Sequence, residues 1–167
     1  TAEELIRKRP FWFGIKTGES VYQYLPGTGN PAFDKAEFNA VTSSYIQAVL
    51  SAQGLKTQID LVFVDRKTIG GRIKILESNA DPTSQIELMC DYIGYYRLEK
   101  NTLIISDSVN RTIIHFFDDV DVEKNKIIIP AQQYLNKELI FSISLLYGGL
   151  EFKQTAFSMN EIIEEKR

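Results

Sequence analysis

The sequence is poor in the residues that enzymes and metal proteins concentrate in their sites. Its 167 residues include one Cys and one His. An internal disulfide, a CxxC pair and a Cys-rich zinc site are therefore excluded. The Gly-x-Ser-x-Gly motif of a nucleophile elbow is also absent from the sequence. This scarcity favours a protein that is not an enzyme.

Long apolar runs and a basic excess are missing as well. The longest apolar stretch, residues 139–146, is interrupted by two serines and falls far short of the roughly 20 residues of a membrane-spanning helix. Nineteen basic and 22 acidic residues give a net charge of −3. Non-specific nucleic-acid binding needs a local basic excess. We therefore predict no membrane span and no nucleic-acid partner, and the sequence assigns no compartment.

The overall composition is that of an ordinary globular domain. Hydrophobic residues make up 44% of the chain and charged residues 25%. A domain of this length buries roughly 70% of its unfolded surface, so it needs no metal or disulfide to form a core. We predict one soluble domain over residues 1–167, without a cofactor.

The pattern of residues 31–53 predicts one long helix. Asn30 and Pro31 are the residue types preferred at an N-cap and at the first helical position. Gly54 would end the helix in the left-handed conformation. Apolar residues recur at helical spacing on one side, at Val41, Tyr45, Ala48, Val49 and Ala52.

Short helices are predicted at the two ends of the chain. Thr1 and Glu4 have the spacing of a capping box, and so do Ser158 and Glu161. The second pair would open a final charged helix.

After Gly54 the hydrophobic period changes from 3.6 to two. Turn residues such as Gly70-Gly71 and Lys100-Asn101 separate the alternating segments at short intervals. Parallel neighbours would need long crossovers, for which there is no room. The sequence therefore predicts an α+β, mostly β fold, with an antiparallel meander of about eight to ten strands. It leaves open whether these strands close into a barrel or form a sandwich.

Two residues with reactive side chains have plain structural interpretations. His115 shares one side of its strand with Ile113 and Phe117, which predicts a partly buried strand histidine. Cys90 shares a face with Ile86 and Leu88, which predicts a small buried hydrophobe.

An acidic cluster after Phe117 is the segment with the most potential for chemistry. Alternate carboxylates on one side of a strand could supply hard oxygen ligands to Ca²⁺ or Mg²⁺. Carboxylates before a turn also discourage edge pairing, and this is the commoner explanation. The candidate metal ligands are Asp119, Asp121 and Glu123. A metal-assisted hydrolase that combines them with His115 is the third functional hypothesis.

Aromatic side chains are the remaining candidates for function. The chain has eight Tyr, ten Phe and one Trp, and Tyr and Trp combine a large apolar area with a polar tip. Most of them should belong to the core. The candidate contact residues are Trp12, Tyr22, Tyr24, Tyr95 and Tyr96.

The leading functional hypothesis is a non-enzymatic, β-rich binding or assembly module that acts through protein–protein contacts. It would use an exposed strand edge or an aromatic patch to hold a protein partner or a second copy.

The alternative is a carrier of a small apolar ligand. An aromatic N-terminal strand, a helix and a long meander follow one another in the order of the fatty-acid-binding and lipocalin-like barrels, which the chain resembles in this respect. The resemblance implies an internal cavity, with Trp12 at its floor and the helix of residues 31–53 as its lid. The lipocalin Gly-x-Trp signature is absent, since no Gly stands two residues before Trp12.

Overall fold

The computed structural model describes residues 12–23, 32–79, 81–89, 95–106, 110–123, 126–147 and 157–166. At six strand positions, residues 12, 89, 95, 96, 98 and 122, it describes the backbone alone.

Within these ranges the protein is mostly β, with thirteen strands in chain order. The strands are β1 (Trp12–Thr17), β2 (Ser20–Gln23), β3 (Lys35–Val41), β4 (Tyr45–Ala52), β5 (Leu55–Phe63), β6 (Thr68–Ser78), β7 (Gln85–Met89), β8 (Tyr95–Glu99), β9 (Thr102–Ser106), β10 (Asn110–Phe116), β11 (Asp121–Glu123), β12 (Lys126–Pro130) and β13 (Glu138–Tyr147). A 3-10 turn, Ala131–Tyr134, follows β12, and the helix α1 (Met159–Lys166) follows β13.

The strands form two antiparallel sheets of unequal size. The small sheet has five strands in the order β11-β12-β7-β1-β2, and the large sheet has eight in the order β3-β4-β5-β6-β13-β10-β9-β8. The prediction of a mostly β, antiparallel fold is confirmed. The described strands do not close into a barrel, because each sheet begins and ends on an edge strand.

The predicted helix over residues 31–53 is wrong. Residues 35–41 and 45–52 are the strands β3 and β4, which pair with each other in the large sheet. β4 buries residues on both of its faces, with Tyr45 and Val49 on one side and Ala48 and Leu50 on the other. A surface helix buries one stripe only. An N-cap contributes about 1 kcal/mol, which is small beside this two-sided burial.

Gly54 has the positive φ expected at a helix end, but it lies in a hairpin turn. Gln53 and Gly54 have φ angles of 48° and 85°, and Ala52 pairs with Leu55 around them. Positive φ at both central residues is the mark of the two-residue hairpin turn. The glycine therefore turns the chain from β4 into β5.

One hydrophobic core lies between the sheets. From the small sheet it takes Ile15, Ile86, Leu88, Ile127 and Ile129, each no more than 1% exposed. From the large sheet it takes side chains of one face of β4, β5, β6, β9, β10 and β13, which are Leu50, Ala52, Leu55, Ile73, Ile75, Leu103, Ile105, Ile114, Phe116, Leu139 and Phe141. We call this face of the large sheet its inner face and the opposite one its outer face.

Gly70 and Gly71 lie inside β6, so the predicted turn at this pair is wrong. On the inner face, a Cβ at Gly71 would overlap the ring of Phe141. On the outer face, a Cβ at Gly70 would lie 2.9 Å from Phe157 Cε2 and 3.1 Å from Met159 Sδ. The two glycines therefore let side chains approach the strand closely from both faces.

The helix α1 confirms the predicted C-terminal helix. It begins after Ser158, whose Oγ accepts a hydrogen bond from Glu161 N at 3.5 Å. Its buried residues Met159 and Ile163 pack on Tyr45 and Val62 of the outer face. The predicted N-terminal helix lies outside the described residues. No helix in the described ranges is long and apolar enough to cross a membrane.

Adding one methyl group at each glycine should show how tightly side chains pack on each of the two faces of β6. We expect Gly71→Ala to lower the free energy of unfolding by about 1–3 kcal/mol, because the Phe141 ring is enclosed by the core and cannot move away. Gly70→Ala should cost less, because Phe157 is only partly buried. Urea denaturation of both variants measures the difference, and equal costs would contradict this account.

Candidate interaction surface

The most extensive buried polar cluster in the described part is centred on Asp60, whose side chain is inaccessible to solvent. Its Oδ1 accepts hydrogen bonds from Tyr45 Oη at 2.9 Å and from Gln47 Nε2 at 2.8 Å. Its Oδ2 accepts from Gln58 Nε2 at 2.8 Å and from the Nε and Nη2 atoms of Arg72, each at 2.8 Å. The strand register brings these groups together, since Gln47, Asp60 and Arg72 lie side by side on β4, β5 and β6.

The hydrogen bonds of this cluster occupy both oxygens of Asp60 and favour its charged form. Burial alone raises the pKa of Asp60, but the hydrogen bonds from Gln47, Gln58, Arg72 and Tyr45 outweigh it, and the net pKa lies below the ordinary 3.8. A carboxylate with five donors around its two oxygens has no lone pair left for a substrate proton. Arg72 Nη1 also donates to Asn160 Oδ1 at 2.6 Å, so the cluster fastens α1 to the outer face.

The structure confirms His115 as a buried strand histidine. It lies on β10 and is 7% exposed. Its Nδ1 shares a hydrogen bond of 2.8 Å with Thr102 Oγ1, and its ring meets the edge of Phe117 at a centroid distance of 5.1 Å. Burial lowers its pKa below 6.5, so the neutral ring is favoured.

The predicted acidic ligands lie at the edge of the small sheet. Asp119 precedes β11, and Asp121 and Glu123 are exposed on it. A cavity of about 300 Å³ that opens to solvent is lined by Asp119 and Asp121 but not by Glu123. Tyr134 Oη donates to the Asp119 carbonyl at 3.3 Å, and burial, reinforced by the nearby carboxylates, raises the pKa of Tyr134. Among the described residues, no group of three or more His, Cys, Asp and Glu side chains could hold a metal ion.

The structure does not test most of the predicted aromatic contact residues. Tyr22 is partly buried and packs against the core. Trp12, Tyr95 and Tyr96 lie on β1 and β8, where the backbone alone is described, and Tyr24 lies outside the described residues, as does Cys90. Their proposed contacts stay predictions.

An uncovered part of the inner face is the feature that stands out. Five large side chains there are 38–66% exposed, although they point in the same direction as the core residues. We call this set the apolar strip, and it consists of Phe38, Val41, Ile46, Phe63 and Tyr147.

Strand pairing shows that the apolar strip continues the core. Val41 pairs with Ile46, which pairs with Leu61, and Leu61 pairs with Gly71 beside the core residue Phe141. Directly paired residues point to the same side of a sheet. Farther along, Phe63 pairs with Ile69, and Ile69 pairs with Ile143. Ile143, Leu145 and Tyr147 then occupy alternate positions of β13, so half-buried apolar side chains lie between the exposed ones. Within the described ranges, the small sheet covers one end of the inner face, and the side chains at this end are exposed.

The neighbouring edge strand β3 is unsuited to pairing with another strand. The register of β3 on β4 shifts between Phe38 and Ala40, which is a β-bulge. Lys35 and Glu37 form an exposed ion pair of 2.7 Å on the same strand. Bulges and charged side chains are two means by which proteins discourage edge pairing. Pairing with a further strand is therefore disfavoured at the β3 edge.

A second cavity in the described part, also about 300 Å³ and open to solvent, lies beside β3. Most of its lining is charged or polar, including Asp34, Lys35, Glu37, Lys56 and Glu77. Pockets for apolar ligands are lined mainly by apolar and aromatic side chains. This cavity therefore gives the carrier hypothesis no support.

Comparison with known proteins gives no family for this chain: no family model matches it, and no curated protein is significantly similar to it.

The apolar strip was not predicted from the sequence. Val41 belongs to the apolar stripe of the helix that the sequence predicts over residues 31–53, so its place on an exposed sheet face is not foreseen. A signal for the strands was present, since Ile46, Ala48, Leu50 and Ala52 alternate with Gln47, Val49 and Ser51 at a period of two. Nothing in the sequence shows that a second sheet ends before it reaches these side chains.

Removing Arg72 should test the structural role of the Asp60 cluster. We expect Arg72→Met to cost about 3–5 kcal/mol of unfolding free energy, because the buried carboxylate would lose its cation. The matched control is Arg66→Met on an exposed turn, which should change stability by less than about 0.5 kcal/mol. Denaturant unfolding at neutral pH compares the two, and a loss at Arg72 as small as at Arg66 would contradict the role.

The single histidine offers a clean titration. We expect the NMR signal of His115 Cε1–H to titrate with a midpoint below 6.5, because burial disfavours the charged ring. The unfolded chain would then bind the proton more tightly than the folded one. The stability that His115 contributes is therefore complete above about pH 6.5 and decreases as the pH falls through the folded-state pKa. A midpoint at or above 6.5 would contradict the effect of burial, and His115→Gln should remove this part of the pH dependence.

Proposed function

We propose that the protein is a non-enzymatic, β-rich binding or assembly module that acts through protein–protein contacts at the apolar strip. The observation that carries this proposal is the bare end of the inner face, where side chains of core type are left in water. Such apolar patches, bordered by polar residues, are typical of protein interaction sites.

The size of the apolar strip supports a contact of useful strength. A buried aromatic side chain covers 150–250 Å², so Phe38, Phe63 and Tyr147, at 59%, 49% and 57% exposure, each present roughly 100 Å². With Val41 and Ile46 the strip offers roughly 400 Å². Covering that area is worth about 10 kcal/mol at 25 cal/mol per Å². Association costs about 4–15 kcal/mol, so the rim of the interface must contribute as well.

The polar residues of the described part agree with this proposal. The carboxylate of Asp60 is fully engaged, and His115 is buried beneath neighbouring side chains of the outer face. Neither presents a free group to a substrate in a cleft, as the chemistry of an active site requires.

Site-specific photocrosslinking captures a bound protein whatever its identity, and so it tests the proposed function. A photoreactive phenylalanine would replace Phe38 or Phe63 in cells that make the protein at its natural level. We expect crosslinks to protein from both positions, because a covered strip places the probe against its partner. The matched control is the same probe at Leu76, which is 42% exposed but lies seven residues along β6 from Ile69, roughly 23 Å away. If the strip positions crosslink no more protein than position 76, the proposed function is refuted.

A further inference from the structure

We infer that the occupant of the apolar strip is a second copy of this chain, which forms a two-fold symmetric dimer by packing inner face against inner face. The inference rests on the proposed function and names its partner.

The area of the strip agrees with what a dimer of ordinary size needs. A stable interface buries roughly 800 Å² on each partner, and about 56–65% of that area is apolar. The apolar strip presents roughly 400 Å² of apolar side chain. It thus supplies most of the apolar part of one side of such an interface. Because a two-fold contact uses the same patch on both subunits, one patch of this size is enough.

The shape of the strip also points to a partner of the same kind. Its side chains belong to a broad sheet face, and such faces pack on other sheet faces about 10 Å apart. The strip is spread over β3, β4, β5 and β13 rather than concentrated in one groove. A single peptide strand laid across it would cover one row of side chains only. Addition of that strand at the edge is disfavoured by the bulge in β3 and by Lys35 and Glu37.

The charges around the strip permit self-association despite the net charge of −3. Asp65, Arg66 and Lys67 follow Phe63 in the turn to β6, and all three are exposed. A rim that carries both signs can place opposite charges against each other across a two-fold axis. A rim of one sign would oppose the contact.

Sedimentation velocity over a range of concentrations tests the inference on the purified protein. We expect a monomer–dimer equilibrium for the wild type. Phe63→Ser should raise the dimer dissociation constant at least tenfold, since in a two-fold dimer this one substitution removes aromatic area from both subunits. The matched control Leu76→Ser removes an exposed apolar side chain outside the strip and should change the constant by less than about twofold.

A second variant and a fold check keep the result decisive. Phe38→Ser should weaken the dimer in the same way, and the NMR signal of His115 on the outer face reports whether each variant is folded. A wild type that stays monomeric up to about 100 µM overturns the dimer. Dimerisation that survives both substitutions also overturns it, because the contact would then use another surface.

The two experiments distinguish the two proposals. If the purified protein is monomeric but the strip positions crosslink to a different protein in cells, the dimer is refuted and the binding function stands. If those positions crosslink no more protein than position 76 does, both are refuted.

Discussion

Within the described residues, the five-stranded sheet covers only one end of the inner face of the eight-stranded sheet, and the exposed surface follows from this partial cover. The two sheets share one core, which closes tightly around Ile15, Ile86 and Ile129. Beyond that region the strands of the large sheet continue with their apolar side chains exposed and with no described strand packed over them. The same strands run through both regions, and their side chains on this face are apolar on both sides of the border. The apolar strip thus continues the core face of the large sheet rather than forming a separate motif.

On the outer face of the large sheet, the helix α1 supplies the cover. It carries Asp60 and Arg72, which are buried and therefore need partners, since an unpaired buried charge is strongly destabilising. Asn160 from α1 completes the cluster, and Met159 and Ile163 cover the apolar side chains beside it. The hydrogen bond from Arg72 to Asn160 and the burial of apolar side chains thus hold the same helix in place. In the part of the chain that the structure describes, no helix covers the exposed end of the inner face in this way.

Alternating hydrophobicity after Gly54 predicted the antiparallel strands well, since period two reflects the local geometry of the backbone. The helix over residues 31–53 failed because cap residues and a stripe of apolar residues are local signals, whereas β4 is held by β3 and β5 on both sides. The predicted turn at Gly70-Gly71 was wrong for a related reason. The rings that approach these two glycines come from distant parts of the chain. The apolar strip depends on where one sheet ends above another, and no local pattern records that.

The bulge in β3 has a consequence for the form of any assembly. Strand addition at a sheet edge creates a new edge each time, so growth by that route has no natural end and leads towards fibres. A chain that meets its partners by a patch on one face is occupied after a single contact. The bulge makes β3 a poor template for such addition. At this edge, irregular backbone would thus favour the closed dimer proposed above over open-ended growth.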